Sequence, residues 1–261
     1  MATILITSGG TKVAIDEVRH IGNMSSGRFG ANLAREALKM GHTVIFLHAK
    51  GSHRPDQVTL DLRANTRENR DEGLMKGIGE LLADQSYLNA VYTNLIMVEY
   101  RDFYDYAEKL EHWSRKSGLD YILLAAAVSD YGMPATGGKI SSDKDEIAFT
   151  LTKLPKLIAK VKQWAPKATL VGFKLLVDAT ESEMDAAVQK QFDAAGSDFV
   201  VANDLRDIKS GHHRVYVYAK NGLRDNPFVS IDEKPETIVL SVITGNSEGQ
   251  VIATRQLGDL E

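Results

Sequence analysis

The chain has 261 residues, with 31 Lys and Arg against 35 Asp and Glu, a formal charge of −4, and 43% hydrophobic residues. This composition excludes a disordered or collagenous chain, and the near-neutral charge gives no reason to expect nucleic acid or a membrane surface as partner. With no cysteine present, disulfides, thiolate metal sites and a cysteine nucleophile are excluded as well.

No apolar run reaches the roughly 18 residues of a membrane span. Residues 1–7 lack the basic start of a secretory signal, so the expected location is the cytoplasm. In chain order, Ile4–Thr7 predicts a buried strand closed by Ser8-Gly9-Gly10. Phe29–Met40 places Phe29, Leu33, Ala37 and Met40 on one helical face before Gly41, and Thr43–Leu47 predicts a second strand. Together they make one βαβ unit.

Further strands are predicted at Val58–Leu62, Tyr121–Val128, Ile147–Leu151, Leu170–Lys174, Phe199–Ala202 and Arg214–Ala219. Helices are predicted at Glu72–Leu82, Phe103–Lys116, Pro155–Trp164 and Glu181–Ala195. Ala90–Tyr100 reads as strand or helix start, and Lys234–Val242 as helix or strand. The sum is a single α/β domain over 1–261: a doubly wound, mostly parallel, Rossmann-like sheet. Loops expected to be mobile lie at Lys50–Gln57 and near 131–146, with an appendage after about Gly245.

Ligands of such sheets bind beyond the carboxyl ends of the strands, and five segments there carry chemistry. Ser8-Gly9-Gly10-Thr11 has glycines that let backbone N–H groups approach a phosphate, although a plain turn would share that composition. Asn23-Met24-Ser25-Ser26-Gly27-Arg28-Phe29-Gly30 opens the first helix, with Ser25 or Ser26 as the natural N-cap and free N–H groups as an anion site. Ala125-Ala126-Ala127-Val128-Ser129-Asp130 ends a strand in small residues; Asp130 suits a ribose hydroxyl, a water-bridged metal ion or a loop cap. Gly137-Gly138-Lys139 puts a lysine beside a glycine hinge, one residue out of register with a P-loop, and a solvated lysine is the simpler account. Val201-Ala202-Asn203-Asp204 brings a fifth strand end to the same rim, where a turn is the bland account.

Two other features read as structure. Tyr216-x-x-x-Lys220 matches a dehydrogenase pair, but the run alternates like a strand, which separates the two by about 13 Å. His212-His213 lacks a third ligand at metal spacing. The rival functional reading, a nicotinamide-dependent oxidoreductase, therefore lacks both its helical Tyr/Lys pair and a G-x-G-x-x-G fingerprint.

Over Ile4 to about Tyr218 the chain resembles the phosphopantothenoylcysteine synthetase (phosphopantothenate–cysteine ligase) family. The resemblance rests on ordered motifs: Ile6-Thr7-Ser8-Gly9-Gly10-Thr11, Asp16-x-Val18-Arg19-x-Ile21-x-Asn23-x-Ser25-Ser26-Gly27-x-x-Gly30, Ala126-Ala127-Val128-Ser129-Asp130-Tyr131, Lys139-Ile140, Gly172-Phe173 and Val201-Ala202-Asn203-Asp204. Ser141-Ser142, Leu154-Pro155-Lys156 and Lys174–Asp178 depart from the bacterial fused form and look more like the eukaryotic type. The ligase is expected as a standalone polypeptide, without the flavin-dependent decarboxylase to which bacterial relatives are fused.

The resemblance implies a reaction, a set of roles and partners. The carboxylate of 4′-phosphopantothenate attacks the α-phosphate of CTP or ATP, with Mg²⁺, and the L-cysteine amine then displaces the nucleotide in a step of coenzyme A biosynthesis. It implies Asn23 and Lys139 as catalytic residues. Gly9, Gly10, Thr11, Ser25, Ser26, Gly27, Ala127, Asp130 and Phe173 are implied toward the nucleotide, and Asn23, Arg28 and Asn203 toward the substrate. A homodimer with a shared site is implied too, joined through a small additional strand region.

Overall fold

In the computed structural model the described residues are 1–57, 85–143, 145–209, 214–220, 228–230 and 235–245. They form one eight-stranded sheet in the order β12-β11-β10-β9-β6-β1-β4-β5 and two small two-stranded sheets. The main strands are β1 (Thr3–Ser8), β4 (Thr43–Ala49), β5 (Leu95–Tyr100), β6 (Tyr121–Leu124), β9 (Thr169–Leu176), β10 (Phe199–Asp204), β11 (Val215–Ala219) and β12 (Phe228–Ser230). The first six of these run parallel, and β11 and β12 are antiparallel additions at one edge. The small sheets pair β2 (Lys12–Ala14) with β3 (His20–Gly22), and β7 (Tyr131–Gly132) with β8 (Thr152–Lys153).

Burial of both faces explains the near-continuous apolar strands. One face packs on α1 (Arg28–Lys39), α2 (Gln85–Asn94) and α7 (Pro235–Thr244), around Ile4, Ile6, Leu33, Val44, Phe46 and Leu240. The other packs on α3 (Phe103–Ser114), α4 (Ile158–Trp164) and α5 (Glu181–Ala195), around Leu5, Tyr106, Leu110, Val161 and Leu170, with Val188 and Phe192 over β10. A one-turn α6 (Leu205–Lys209) follows β10. Helix α5 starts on a reciprocal capping box between Thr180 and Glu183, the Thr-x-x-Glu signature.

Several boundaries differ from the sequence reading. Residues 147–151 form no strand: Ile147, Phe149 and Leu151 alternate but are 43%, 39% and 43% exposed, so the segment runs over the surface and pairing begins at Thr152. The alternation was real; the core it implied is not beneath it. Residues 125–128, predicted as strand, leave the ladder after Leu124, and only a Gly10–Ala127 bridge continues it. The ambiguous Ala90–Tyr100 resolves into the end of α2 and the whole of β5, and the described part of Lys234–Val242, from Pro235 on, into α7. The predicted strand at 58–62, the predicted helix at 72–82, the histidine pair at 212–213 and the tail beyond 245 lie outside the described residues.

Candidate functional site

Strand β1 connects through α1 to β4 on one side, while its other neighbour is β6. The order in which strands are added reverses there while the strands stay parallel, so the rim beyond β1 and β6 is the crevice this topology opens for a ligand. Two loops are stitched together at that point. Ala127 N–H donates to the Gly9 carbonyl at 2.8 Å, and Thr11 N–H to the Ala127 carbonyl at 3.0 Å. The Thr11 hydroxyl lies 3.0 Å from that of Ser129 and accepts the Ser129 N–H at 2.8 Å. Gly9, Gly10, Thr11 and Ala127, four residues predicted toward the nucleotide, are thus brought to one place.

The helix start closes the cradle. Its N-cap is Gly27, at φ 76°, and not Ser25 or Ser26 as expected. The left-handed turn excludes most side chains, and no side chain caps the helix. Ser26 instead gives its carbonyl to His53 N–H and only a long 3.4 Å contact from its hydroxyl to Arg28 N–H. Apart from the Arg28 N–H, which donates to the Ser26 hydroxyl oxygen, the first-turn N–H groups of α1 stay uncapped by side chains, as an anion site requires. Beneath them Ser8, fully buried, donates its hydroxyl to the Gly27 carbonyl at 2.9 Å. A Cβ on Gly30 would stand 2.5 Å from that hydroxyl oxygen, so Gly30 serves helix–strand packing. Ser8 stands in the motif expected to face a phosphate, but its hydroxyl is taken by the Gly27 carbonyl, a partner that only the folded chain brings near. Tyr100 steadies it from below, donating to the Ser8 carbonyl at 2.8 Å.

Asn23 follows β3. Its N–H donates to the Thr11 carbonyl at 3.3 Å, and a Cβ on Gly10 would stand 2.3 Å from the Asn23 carbonyl oxygen. Gly10 is therefore required for Asn23 to sit against the loop after β1. The exposed Asn23 side chain makes no hydrogen bond among the described residues. Phe173 on β9 packs edge-on to Phe29 in the first turn of α1, centroids 5.9 Å apart. Asn203 lies one alternation beyond Val201, on the α1 face of the sheet. Arg28 is exposed at the helix start.

Asp130 stands at the rim, paired with Lys156. Among the described residues no group of three or more His, Asp or Glu converges as a metal site. Lys139 is exposed, and its loop rests on the tip of the hairpin whose base carries Asn23: Glu17 N–H donates to the Gly138 carbonyl at 3.1 Å and Thr136 N–H to the Ile15 carbonyl at 2.9 Å. A three-residue strand separates tip from base, about 10 Å. Lys139 and Asn23 thus share one side of the molecule.

Asp204, predicted only as part of a strand end, is a loop anchor. Buried, it accepts N–H bonds from Ala179 (2.8 Å), Arg206 (2.7 Å) and Asp178 (3.2 Å). The Ala179 bond leads in holding its carboxyl below the usual carboxylate range, against a desolvation that raises it. Asp204→Ala is expected to lower stability by about 1–3 kcal/mol in urea denaturation. With a depressed folded pKa, this contribution is present above the unfolded value, near 3.9, and is lost as pH falls through the folded one. The gap between variant and parent should therefore close in acid; an equal gap at pH 7 and pH 3 would reject the charge-assisted account.

The crevice at the switch between β1 and β6, floored by bare backbone, defines a Rossmann-like α/β protein built to hold a small ligand at its rim. The chain belongs to the family described as the DNA/pantothenate metabolism flavoprotein C-terminal domain, whose profile matches residues 1–75 and 104–243, and within it to the phosphopantothenate–cysteine ligases. It is 34% identical over 235 residues to the phosphopantothenate–cysteine ligase of Mus musculus, 79% of this chain and 73% of that protein. A Coenzyme A biosynthesis bifunctional protein of Thermococcus kodakarensis is 28% identical over 235 residues, 90% of this chain; the chain spans only 49% of that longer protein. Among solved structures, a mutant of Cab2 in complex with phosphopantothenate-cysteine has a TM-score of 0.73 at 25% identity, covering 97% of this chain and 89% of that one. The oxidoreductase reading is set aside: Tyr216 lies within β11 and Lys220 just past it, so strand geometry holds the pair apart.

Proposed function

We propose that this protein joins 4′-phosphopantothenate to L-cysteine in coenzyme A biosynthesis, driven by a nucleoside triphosphate, CTP or ATP. The observation that carries the reading is the membership of a ligase family together with an uncapped helix start beside a loop of bare glycine backbone. A carboxylate is a poor acyl donor because its charge repels nucleophiles and oxide does not leave. Attack on the α-phosphate converts it to a mixed anhydride with release of pyrophosphate, and the cysteine amine then displaces the nucleoside monophosphate to form the amide.

Each step makes a demand that residues of the crevice suit. Negative charge gathers at the α-phosphate and on pyrophosphate; N–H groups of Gly9 and Gly10, the start of α1 with Ser25, Ser26 and Gly27, and the Lys139 ammonium offset it, while Thr11, its N–H given to Ala127 and its hydroxyl paired with Ser129, holds the glycine loop in place. Ala127 gives the nucleotide a flat wall, Phe173 borders the base, and Asn203 and Arg28 hold the pantothenate part. The Asn23 amide bonds the acyl oxygen without adding charge and positions it for the amine. Mg²⁺ in this reading arrives as the triphosphate's own counter-ion. Asp130 is a rim carboxylate whose Oδ1 is paired with Lys156, which leaves Oδ2 to meet the ion or the nucleotide.

We also propose a homodimer. Exposed Val18 (62%), Ile21 (43%) and Met24 (105%) lie on and beside the β2–β3 hairpin. Exposed Tyr131, Ile147, Phe149 and Leu151 lie on and before β7–β8, which packs beside it through Gly132 and Val13. A second copy covering this apolar surface would bring two crevices close together. We propose the cytoplasm as the place of action; no described helix is long and apolar enough to cross a membrane.

The test is pyrophosphate release measured with CTP and with ATP, each requiring both phosphopantothenate and L-cysteine for amide formation. Release that ignores phosphopantothenate would overturn the reading. Lys139→Gln is expected to lower kcat for anhydride formation at least tenfold, about 1.4 kcal/mol; an unchanged burst of pyrophosphate would remove Lys139 from the chemistry.

A further inference from the structure

The segment 15–19 carries a carboxylate that none of the roles above uses. Asp16 is 3% exposed, on a hairpin whose tip otherwise faces solvent. Its Oδ1 accepts the N–H groups of Val18 at 2.9 Å and Arg19 at 2.7 Å, which is a local turn and needs no further explanation. Its Oδ2 does something else. It accepts the Ile140 N–H at 3.1 Å, across 124 residues of chain, and also the Arg19 Nη1 at 2.8 Å. The same Nη1 donates to the Ile140 carbonyl at 3.1 Å. One carboxylate and one guanidinium therefore grip both backbone groups of a single residue, as a neighbouring strand would. Burial alone would raise the Asp16 carboxyl, but the N–H groups of Val18, Ile140 and Arg19 and the Arg19 charge outweigh it and hold it below the usual carboxylate range. It is thus a committed anion and a strong acceptor.

What the grip holds is the residue next to Lys139. On the other side of that lysine, Gly138 sits at φ 73°, and neither Gly137 nor Gly138 has any atom within 4 Å of where a Cβ would be. Lys139 is set between an unhindered glycine pair and a doubly bonded clamp.

We propose that Asp16, with Arg19, is the positioning element for Lys139: it fixes the Ile140 peptide to the hairpin that ends in Asn23, so that a flexible ammonium starts from a fixed backbone point. This rests on the ligase reading only for the role of Lys139; the clamp itself is independent of it. Ordering costs of a loop and a long side chain oppose catalysis unless they are met before the substrate arrives, and the clamp meets the backbone part of them in advance.

The test is Asp16→Asn, which keeps the shape and an oxygen for the local turn but puts an NH₂ donor against the Ile140 N–H and the guanidinium. The expected result is faster hydrogen exchange at the Ile140 amide, by tenfold or more, with unchanged exchange in β1 and β6. In the ligation assay kcat should fall at least tenfold with little change in the nucleotide KM. Asp16→Asn combined with Lys139→Gln should be no slower than Lys139→Gln alone, because both act through one ammonium. Additive losses in the double variant, or unchanged Ile140 exchange, would overturn the proposal. If the parent protein shows no ligation, the ligase reading fails instead, and the exchange measurement still decides the clamp.

Discussion

Asn23→Asp is expected to stall the reaction between its two steps. The amide it replaces makes no hydrogen bond among the described residues, while its backbone is held by Thr11 and pressed against Gly10. The position is fixed and the side chain is available. An acid in its place is nearly the same size but adds negative charge where the tetrahedral intermediate of amide formation also becomes negative. Loss of one such donor typically lowers kcat about 10²–10³-fold. In the proposed mechanism anhydride formation draws on the glycine backbone and Lys139, and it should be slowed far less. With cysteine present, acyl-nucleotide should build up and be seen after acid quench, at a level the parent enzyme never reaches. Normal turnover with no trapped acyl-nucleotide would take Asn23 out of the second step.

Gly10→Ala should be nearly as severe, for a steric reason. The added methyl would lie 2.3 Å from the Asn23 carbonyl oxygen, and that atom is backbone, so it cannot swing aside. Either the loop after β1 or the strand leading to Asn23 must move by most of an ångström. Displacement of that size costs on the order of 10²-fold in rate when it moves a positioned group. Overpacking of this kind costs about 1–3 kcal/mol in stability, so the variant should fold with a lowered melting temperature while kcat/KM falls far more than the stability loss explains. Full activity in a destabilised protein would show that Asn23 tolerates the shift and would undo the close-approach argument.

The fold was largely legible because its parallel strands are buried on both faces and stand out as short apolar runs between amphipathic helices. Phe29–Met40 and Glu181–Ala195 match α1 and α5 within a residue or so. The reading failed where local pattern and tertiary burial part company. The alternation of Ile147, Phe149 and Leu151 mimics a strand but faces outward. Ser25 and Ser26 look like caps, yet the chain turns on Gly27, which has a positive φ and leaves no room for a Cβ beside Ser8 and Ser52. In the site, glycines and small residues at strand ends announced a cradle. Ser8, Ser129 and the Asp16–Arg19 pair did not announce theirs, because each acts on a partner that only the folded chain brings near: Gly27, Thr11 and Ile140. The spacing Asp16-x-x-Arg19 was visible; that both side chains converge on one peptide 121 or more residues away was not.

The hydroxyl link between Thr11 and Ser129 spans 118 residues. Until the ribosome has released the chain well past Ser129, the first glycine loop has no partner wall, and residues 1–57 alone present an unfinished floor. Such distant closures also slow the search for the native state. Competence to engage a nucleotide should therefore arrive late and abruptly during synthesis, so that a half-made polypeptide has little means to seize triphosphates it cannot use.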